Sequence, residues 1–233
     1  MQTIANEILK QTLRDFHFTN DENEIETCAK KLETFSNEII LFNKAYNLVN
    51  TSDKNEIFVR HIFDSLAGAK TIKAYAEKIC EKNGLSASNI VIGDIGSGAG
   101  FPGIPLAICF PQFQFVLVER MDKRCAFLEN CVSLLGLKNV RVKKSELEKC
   151  SDAIFHITTF RAFRELDEHF ARELLRVTKN AGILCAYKAK AKKITDEMKT
   201  LQNIFPFYKI EKLTVPFLDD AERNLVMIEN SNL

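Results

Sequence analysis

No uninterrupted apolar run of ~18 residues occurs in this chain, so no segment reads as a membrane-crossing helix. The N-terminal stretch MQTIANEILKQTLRDF carries acids at amphipathic spacing and does not read as a signal peptide. The seven cysteines (Cys28, Cys80, Cys109, Cys125, Cys131, Cys150 and Cys185) include no C-x-x-C pair. Zinc-type clustering is therefore not expected, and the scattered thiols suit a reducing cytosol. Nor is there an excess of charge: 32 Lys and Arg face 31 Asp and Glu, for a net +1. That balance excludes a histone-like polycation, though not a local basic patch. Repeats and low-complexity linkers are absent. What remains is a chain of 233 residues, 46% hydrophobic, long enough for one sizeable core.

Residues 1–82 read as helical throughout. Ile4, Ile8, Leu9, Leu13 and Phe16 share one helical face. A second helix is expected over 22–45, with Ile25, Cys28, Leu32, Phe35, Ile39 and Phe42 as its stripe. Asp53 and Glu56 resemble a capping box opening a third, over 53–68. A fourth spans about 70–82 and stops before Gly84. From residue 89 the period changes. NIVIGDI, QFVLVE, DAIFHITTF and GILCAYK read as buried strands, with helical patterns over 103–110, 121–135 and 165–178. Alternating strands and helices predict an α/β, doubly wound parallel sheet. Residues 206–217 and 222–229 lack a helix between them and predict an antiparallel hairpin at one sheet edge. The expected division is a helical extension, 1–82, packed on a core domain, 83–233.

The most informative stretch is NIVIGDIGSGAGFPGIP. A short strand runs into Asp94, then Gly96, Gly98, Gly100 and Gly103, then a helix. Strand, glycine turn and helix bring backbone close to a nucleotide-like ligand, and such turns often need φ > 0. Gly98, Gly100 and Gly103 satisfy G-x-G-x-x-G, the dinucleotide pattern. The register disfavours a dinucleotide, because Asp94, Gly96 and Ser97 intervene after the strand. Glu119 ends QFVLVE, 23 positions after Gly96, where a carboxylate can accept ribose hydroxyls. An acid at the end of the first strand favours S-adenosylmethionine, which carries an ammonium and a sulfonium and no phosphate. The same acid repels a pyrophosphate. The terminal hairpin likewise resembles the sheet edge of class I S-adenosylmethionine-dependent methyltransferases, a Rossmann-like fold. Two alternatives stay open: an NAD(P)-binding oxidoreductase, and a non-catalytic RNA-binding module with the same fold.

Several methyl acceptors are disfavoured by absence. No Pro-Cys offers the nucleophile of cytosine C5 methylation. No Asp/Asn-Pro-Pro-aromatic loop follows the TTFRAF strand end, as exocyclic amine methylation usually requires. A ring nitrogen such as guanine N7 needs no proton removed, so in-line positioning suffices.

GDIGSGAGFPGIPLA, with KAYNLVN (44–50), VRHIFDSL (59–66), DKRCAFL (122–128) and TFRAF (159–163), resembles the RsmG family, also called GidB. The motifs run in order from about residue 36 to the C-terminus. The resemblance implies a cytosolic enzyme that methylates guanine N7 in small-subunit (16S) ribosomal RNA with S-adenosylmethionine. Carried over by position, the cofactor contacts are Gly96, Phe101, Leu147 and Glu148 within the third-strand segment VKKSELEKC, and Arg161, beside Asp94, Gly98 and Glu119 from the turn and strand ends themselves. Arg161, His61 and Asp64 are the catalytic candidates; His61 and Asp64, at i and i+3, are also placed to pair with each other. Arg60, Lys123, Arg124 and Lys188 are candidate RNA contacts, within a basic rim that includes Lys143, Lys144, Lys190, Lys192 and Lys193. Phe101 and Phe163 are candidates for stacking on a base. No metal is expected, and a monomer is.

Overall fold

The computed structural model describes residues 6–16, 18–161, 166–219 and 221–230. Ile4 and Phe163 lie outside them. Helices α1 (Asn6–Asp15) and α2 (Glu22–Tyr46) come first. Asp21 caps α2 by accepting from the amides of Asn23 and Glu24, and Asn47 ends it in the left-handed region. The expected α2 stripe is the buried one: Ile25, Leu32, Phe35 and Ile39 are at most 1% exposed.

Helix α3 (Lys54–Ile57) continues through a π-helical turn (Phe58–Phe63) into α4 (Asp64–Leu66). Only half of the expected capping box forms. Asp53 accepts from the Glu56 amide at 2.9 Å, but the Glu56 carboxylate takes the Thr51 hydroxyl instead. Helix α5 (Ala69–Asn83) ends on Gly84 at φ 61.

The sheet comprises β1 (Val91–Ile95), β2 (Gln114–Glu119), β3 (Val140–Lys144), β4 (Phe155–Arg161), β5 (Thr178–Lys188), β6 (Lys209–Leu213) and β7 (Arg223–Glu229). Their order is β3-β2-β1-β4-β5-β7-β6. The first five strands are parallel, and β7 runs antiparallel to both β5 and β6. The expected hairpin therefore forms, with its second strand inserted next to β5. Helices α6 (Gly103–Cys109), α7 (Asp122–Leu134), α8 (Glu168–Val177) and α9 (Ala191–Thr200) connect the strands.

Two apolar clusters cover the two sheet faces. One joins α1, α2, the α3–α5 segment, α6 and α7 to Ile92, Leu117, Ile157 and Tyr187. The other joins α8 and α9 to Ile95, Val118, Phe160 and Leu184. Two elements were not among the apolar runs. Strand β3 is an edge strand, with Arg141 and Lys144 exposed. Helix α9 buries only Ile194 and Met198, a stripe too narrow to stand out among lysines.

Candidate functional site

Because β2 and β3 lie to one side of β1 and β4 and β5 to the other, the chain reverses direction between β1 and β4. Crevices at such reversals, beyond strand C-termini, are where open α/β sheets take ligands. The glycine turn stands there. Gly96, Gly98 and Gly100 have φ of 67, 58 and 94, the region L side chains avoid.

Two carboxylates brace this turn from inside. Glu119 Oε2 accepts from Gly98 N at 3.0 Å, while Oε1 accepts from Arg120 N and Met121 N at 2.8 and 2.9 Å. Asp94 Oδ2 accepts from Gly103 N at 3.0 Å. A Cβ at Gly103 would sit 2.7 Å from that oxygen and 2.3 Å from Leu117 Cδ2, so only glycine fits. Burial pushes the Asp94 carboxyl up to about 7, with the Gly103 amide, Ser97 and Arg161 opposing the shift.

Asp94 Oδ1 and Thr159 Oγ1 are buried with no hydrogen-bond partner. They belong to register partners on β1 and β4, at the reversal. Two carboxylates, one of them with an orphaned oxygen, fit a cationic nucleoside such as S-adenosylmethionine and oppose a pyrophosphate. Both acids also have a second task unforeseen in the sequence, which is holding the turn's backbone.

The catalytic candidates converge, though not as an i, i+3 pair. His61 and Asp64 both meet Arg161 at the end of β4. Arg161 Nη1 donates to Asp64 Oδ2 at 2.9 Å and to the Arg60 carbonyl at 3.0 Å. Arg161 Nη2 donates to His61 Nδ1 at 3.0 Å. The π-helical turn carries Arg60 and His61, and π turns commonly mark functional positions. Arg223, at the start of β7, also donates to Asp64 Oδ2, at 3.2 Å. Burial, then Arg161, Arg223 and Arg60, lower the His61 pKa to about 3, so the ring is neutral.

Phe101 links the turn to this cluster. Its ring stacks on His61 at 5.1 Å, lies under the Arg161 guanidinium at 5.0 Å and meets Phe35 at 5.4 Å. It is 5% exposed, so stacking on an RNA base, one of its expected roles, is blocked by its own neighbours.

A cavity of about 860 Å³ opens beside the cluster. Its wall includes Arg60, His61, Asp64 and Arg161, Lys188, Lys190 and Lys193 from β5 and the start of α9, and Arg223. Lys188 is engaged: its ammonium pairs with Glu197 at 2.9 Å and lies 5.4 Å from the Phe160 ring centre. Lys123 and Arg124, on α7, are not part of this wall. Arg124 stands 4.0 Å from Glu119 Oε2, beside the turn. Lys144 pairs with Asp122.

Leu147 opens a 3-10 turn after β3, and its side chain is buried in the α8–α9 core. Glu148 is exposed beside it, 3.6 Å from His169. Arg176 fixes this turn, donating to the carbonyls of Leu147, Glu148 and Cys150 at 3.1, 3.3 and 2.7 Å. Arg176, Thr159 and Arg223 were not singled out in the sequence. Arg176 sits on the polar side of an amphipathic helix and Thr159 and Arg223 on largely buried strands, patterns without a functional signature.

Among the described residues, no group of three or more His, Cys, Asp or Glu is placed to hold a metal. No described helix is long and apolar enough to cross a membrane.

Comparison with known proteins agrees with this geometry. The GidB family model, rRNA small subunit methyltransferase G, matches residues 28–226. The ribosomal RNA small subunit methyltransferase G of Treponema denticola is 38% identical, covering 97% of this chain and 95% of its own length. That of Borrelia turicatae is 34% identical, covering 85% and 88%. In the solved structures, an Agrobacterium tumefaciens protein described as a predicted O-methyltransferase superposes with a TM-score of 0.52 at 19% identity, over 64% of this chain and 82% of its own, a likeness of fold alone. With a glycine turn braced by two acids on a class I methyltransferase sheet, and relatives matched along nearly its whole length, the chain belongs to the GidB family of small-subunit ribosomal RNA methyltransferases.

Proposed function

We propose that this protein transfers a methyl group from S-adenosylmethionine to N7 of a guanine in small-subunit (16S) ribosomal RNA. One observation carries the reading beyond the family. The acid-braced turn, suited to a cationic nucleoside, is joined by one ring to the residues that line a cation-rich cavity, suited to RNA. Phe101, in the turn, packs on His61 and Arg161, and those two side chains line the cavity.

When bound, S-adenosylmethionine supplies an electrophilic methyl on a sulfonium. The chain's own contribution is placement. Gly96 and Gly98 would let the backbone approach the nucleoside, and Asp94 would offset its positive charge. Glu119 would hold the sugar, and Leu147 and Glu148 would border the adenine. Arg161, held by Asp64, would contact the cofactor from the end of β4. Guanine N7 has an in-plane lone pair and carries no proton, so no general base is required. His61 suits that chemistry, because its Nδ1 is already taken by Arg161 and the ring stays neutral.

Arg60, Lys190 and Lys193 provide positive potential around the cavity for phosphates, with a smaller share from Lys188, which Glu197 pairs. Lys123 and Arg124 extend it past the turn. A target base must leave its stack to enter. We further propose that residues 1–82 act as a helical cap on the catalytic domain, 83–233, and that the protein works as a cytosolic monomer.

The test is transfer of labelled methyl from S-adenosylmethionine to small-subunit RNA, or to subunits, from cells lacking the gene. Incorporation supports the reading. Absence of incorporation across salt conditions and assembly states contradicts it, and tight NAD(P) binding would restore the oxidoreductase alternative.

A further inference from the structure

We propose that Nε2–H of His61 reads O6 of the target guanine and thereby makes the site reject adenine. The inference rests on the cavity being the guanine's seat. Its warrant is the histidine's tautomer. A guanidinium can only donate, so the 3.0 Å contact from Arg161 Nη2 makes His61 Nδ1 an acceptor. A neutral ring then carries its single proton on Nε2. The ring is held in place by stacking on Phe101, with an interplanar angle of 23°. His61 is half-buried and lines the cavity. No described residue is bonded to its Nε2. The wall therefore presents one fixed, neutral donor.

Guanine offers two adjacent acceptors on this edge, N7 and O6, whereas adenine offers N7 and an N6 donor. A fixed donor suits O6 and opposes the amine. It also leaves the N7 lone pair free. An arginine forked across O6 and N7 would occupy the nucleophile. Arg161, with its side chain 12% exposed, acts through His61 as a positioning residue that sets the tautomer. Neutrality matters as well, because attack places positive charge on the purine and an imidazolium would oppose it.

The experiment replaces the target guanine with 2-aminopurine, which keeps N7 and lacks O6, and compares kcat/KM for guanine and analogue in three proteins. These are the wild type, His61→Phe, which keeps a stacking ring without the donor, and His61→Gln, which restores an amide donor near Nε2. The intrinsic reactivity difference between the two bases is common to all three and cancels in the comparison. The expected result is an analogue penalty about tenfold or more smaller in His61→Phe than in wild type, partly recovered in His61→Gln. Should the phenylalanine variant melt early, His61→Asn, which places its amide near Nδ1 and offers nothing at Nε2, serves the same comparison. An equal penalty in wild type and the donorless variant overturns the proposal. Failure of the wild type to methylate any guanine defeats the underlying functional reading, and the proposal with it.

Discussion

Arg161 and Asp64, 97 positions apart in the chain, meet in a 2.9 Å ion pair whose side chains are 12% and 6% exposed. The same Asp64 oxygen accepts from Arg223, so one carboxylate offsets two guanidiniums. The pair ties the α3–α4 segment to β4 and β7 and seats the residues that line the cavity.

Asp64→Asn keeps the shape and removes the charge. Two partly or wholly buried cations are then left without their counter-ion, which typically costs about 3–5 kcal/mol. Urea unfolding should show a loss of that order. A midpoint shift corresponding to less than about 0.5 kcal/mol, within the range of ordinary surface substitutions, would mean that the pair does not hold the site together.

With Asp94 facing the cofactor's positive charge as proposed, affinity should depend on pH. Its carboxyl titrates at about 7, raised first by burial, with the Gly103 amide, Ser97 and Arg161 lowering it and Glu119 raising it. Below that pH the free protein holds the proton. A cationic ligand favours the ionised form, so binding releases the proton and affinity falls as pH drops below 7. Calorimetry between pH 5.5 and 8 should show this trend in wild type and a flat profile in Asp94→Asn. A flat wild-type profile would place the ligand's charge away from Asp94.

Two positions of the turn require glycine, Gly103 for space and Gly96 for its backbone angle. Gly103→Ala drives its methyl into Asp94 Oδ2 and Leu117 Cδ2, and overpacking of this kind costs about 1–3 kcal/mol. Gly96→Val forces a β-branched residue to φ 67. Both variants should lose S-adenosylmethionine binding while circular dichroism still reports a folded protein. Normal binding by either would move the pocket elsewhere.

For RNA, the double variant Lys190→Ala, Lys193→Ala should weaken binding across sequences and flatten the salt dependence. Two lost single-strand phosphate contacts correspond to a slope smaller by about 1.4. Lys188→Ala should change the slope less, because Glu197 already neutralises that ammonium. Unchanged slope and affinity in the double variant would remove these two lysines from the interface.

Much of this was legible in the chain itself. QFVLVE is β2 as expected, because a buried strand is an apolar run, and the glycine spacing marked the turn at its true place. Strand β3 was placed through the family resemblance and not by an apolar run, and helix α9 escaped, because each hides only one narrow side. Asx caps and apolar stripes are local signals, readable over a few residues. The meeting of Asp64 with Arg223, 159 positions away, is not local. Neither the π-helical turn that presents Arg60 and His61 nor the tautomer fixed by Arg161 has a signature in residue spacing. Asp94 and Glu119 were singled out correctly as residues at strand ends. Their hydrogen bonds to the turn's own amides became visible only in three dimensions.

The most direct test identifies the product. Small-subunit RNA from cells lacking the gene is incubated with the purified protein and labelled S-adenosylmethionine, digested to nucleosides and analysed by mass spectrometry, with chemical scission at N7-methylguanosine to locate the site. The account predicts label in N7-methylguanosine at a single position. Label in any other nucleoside, or none, would contradict it.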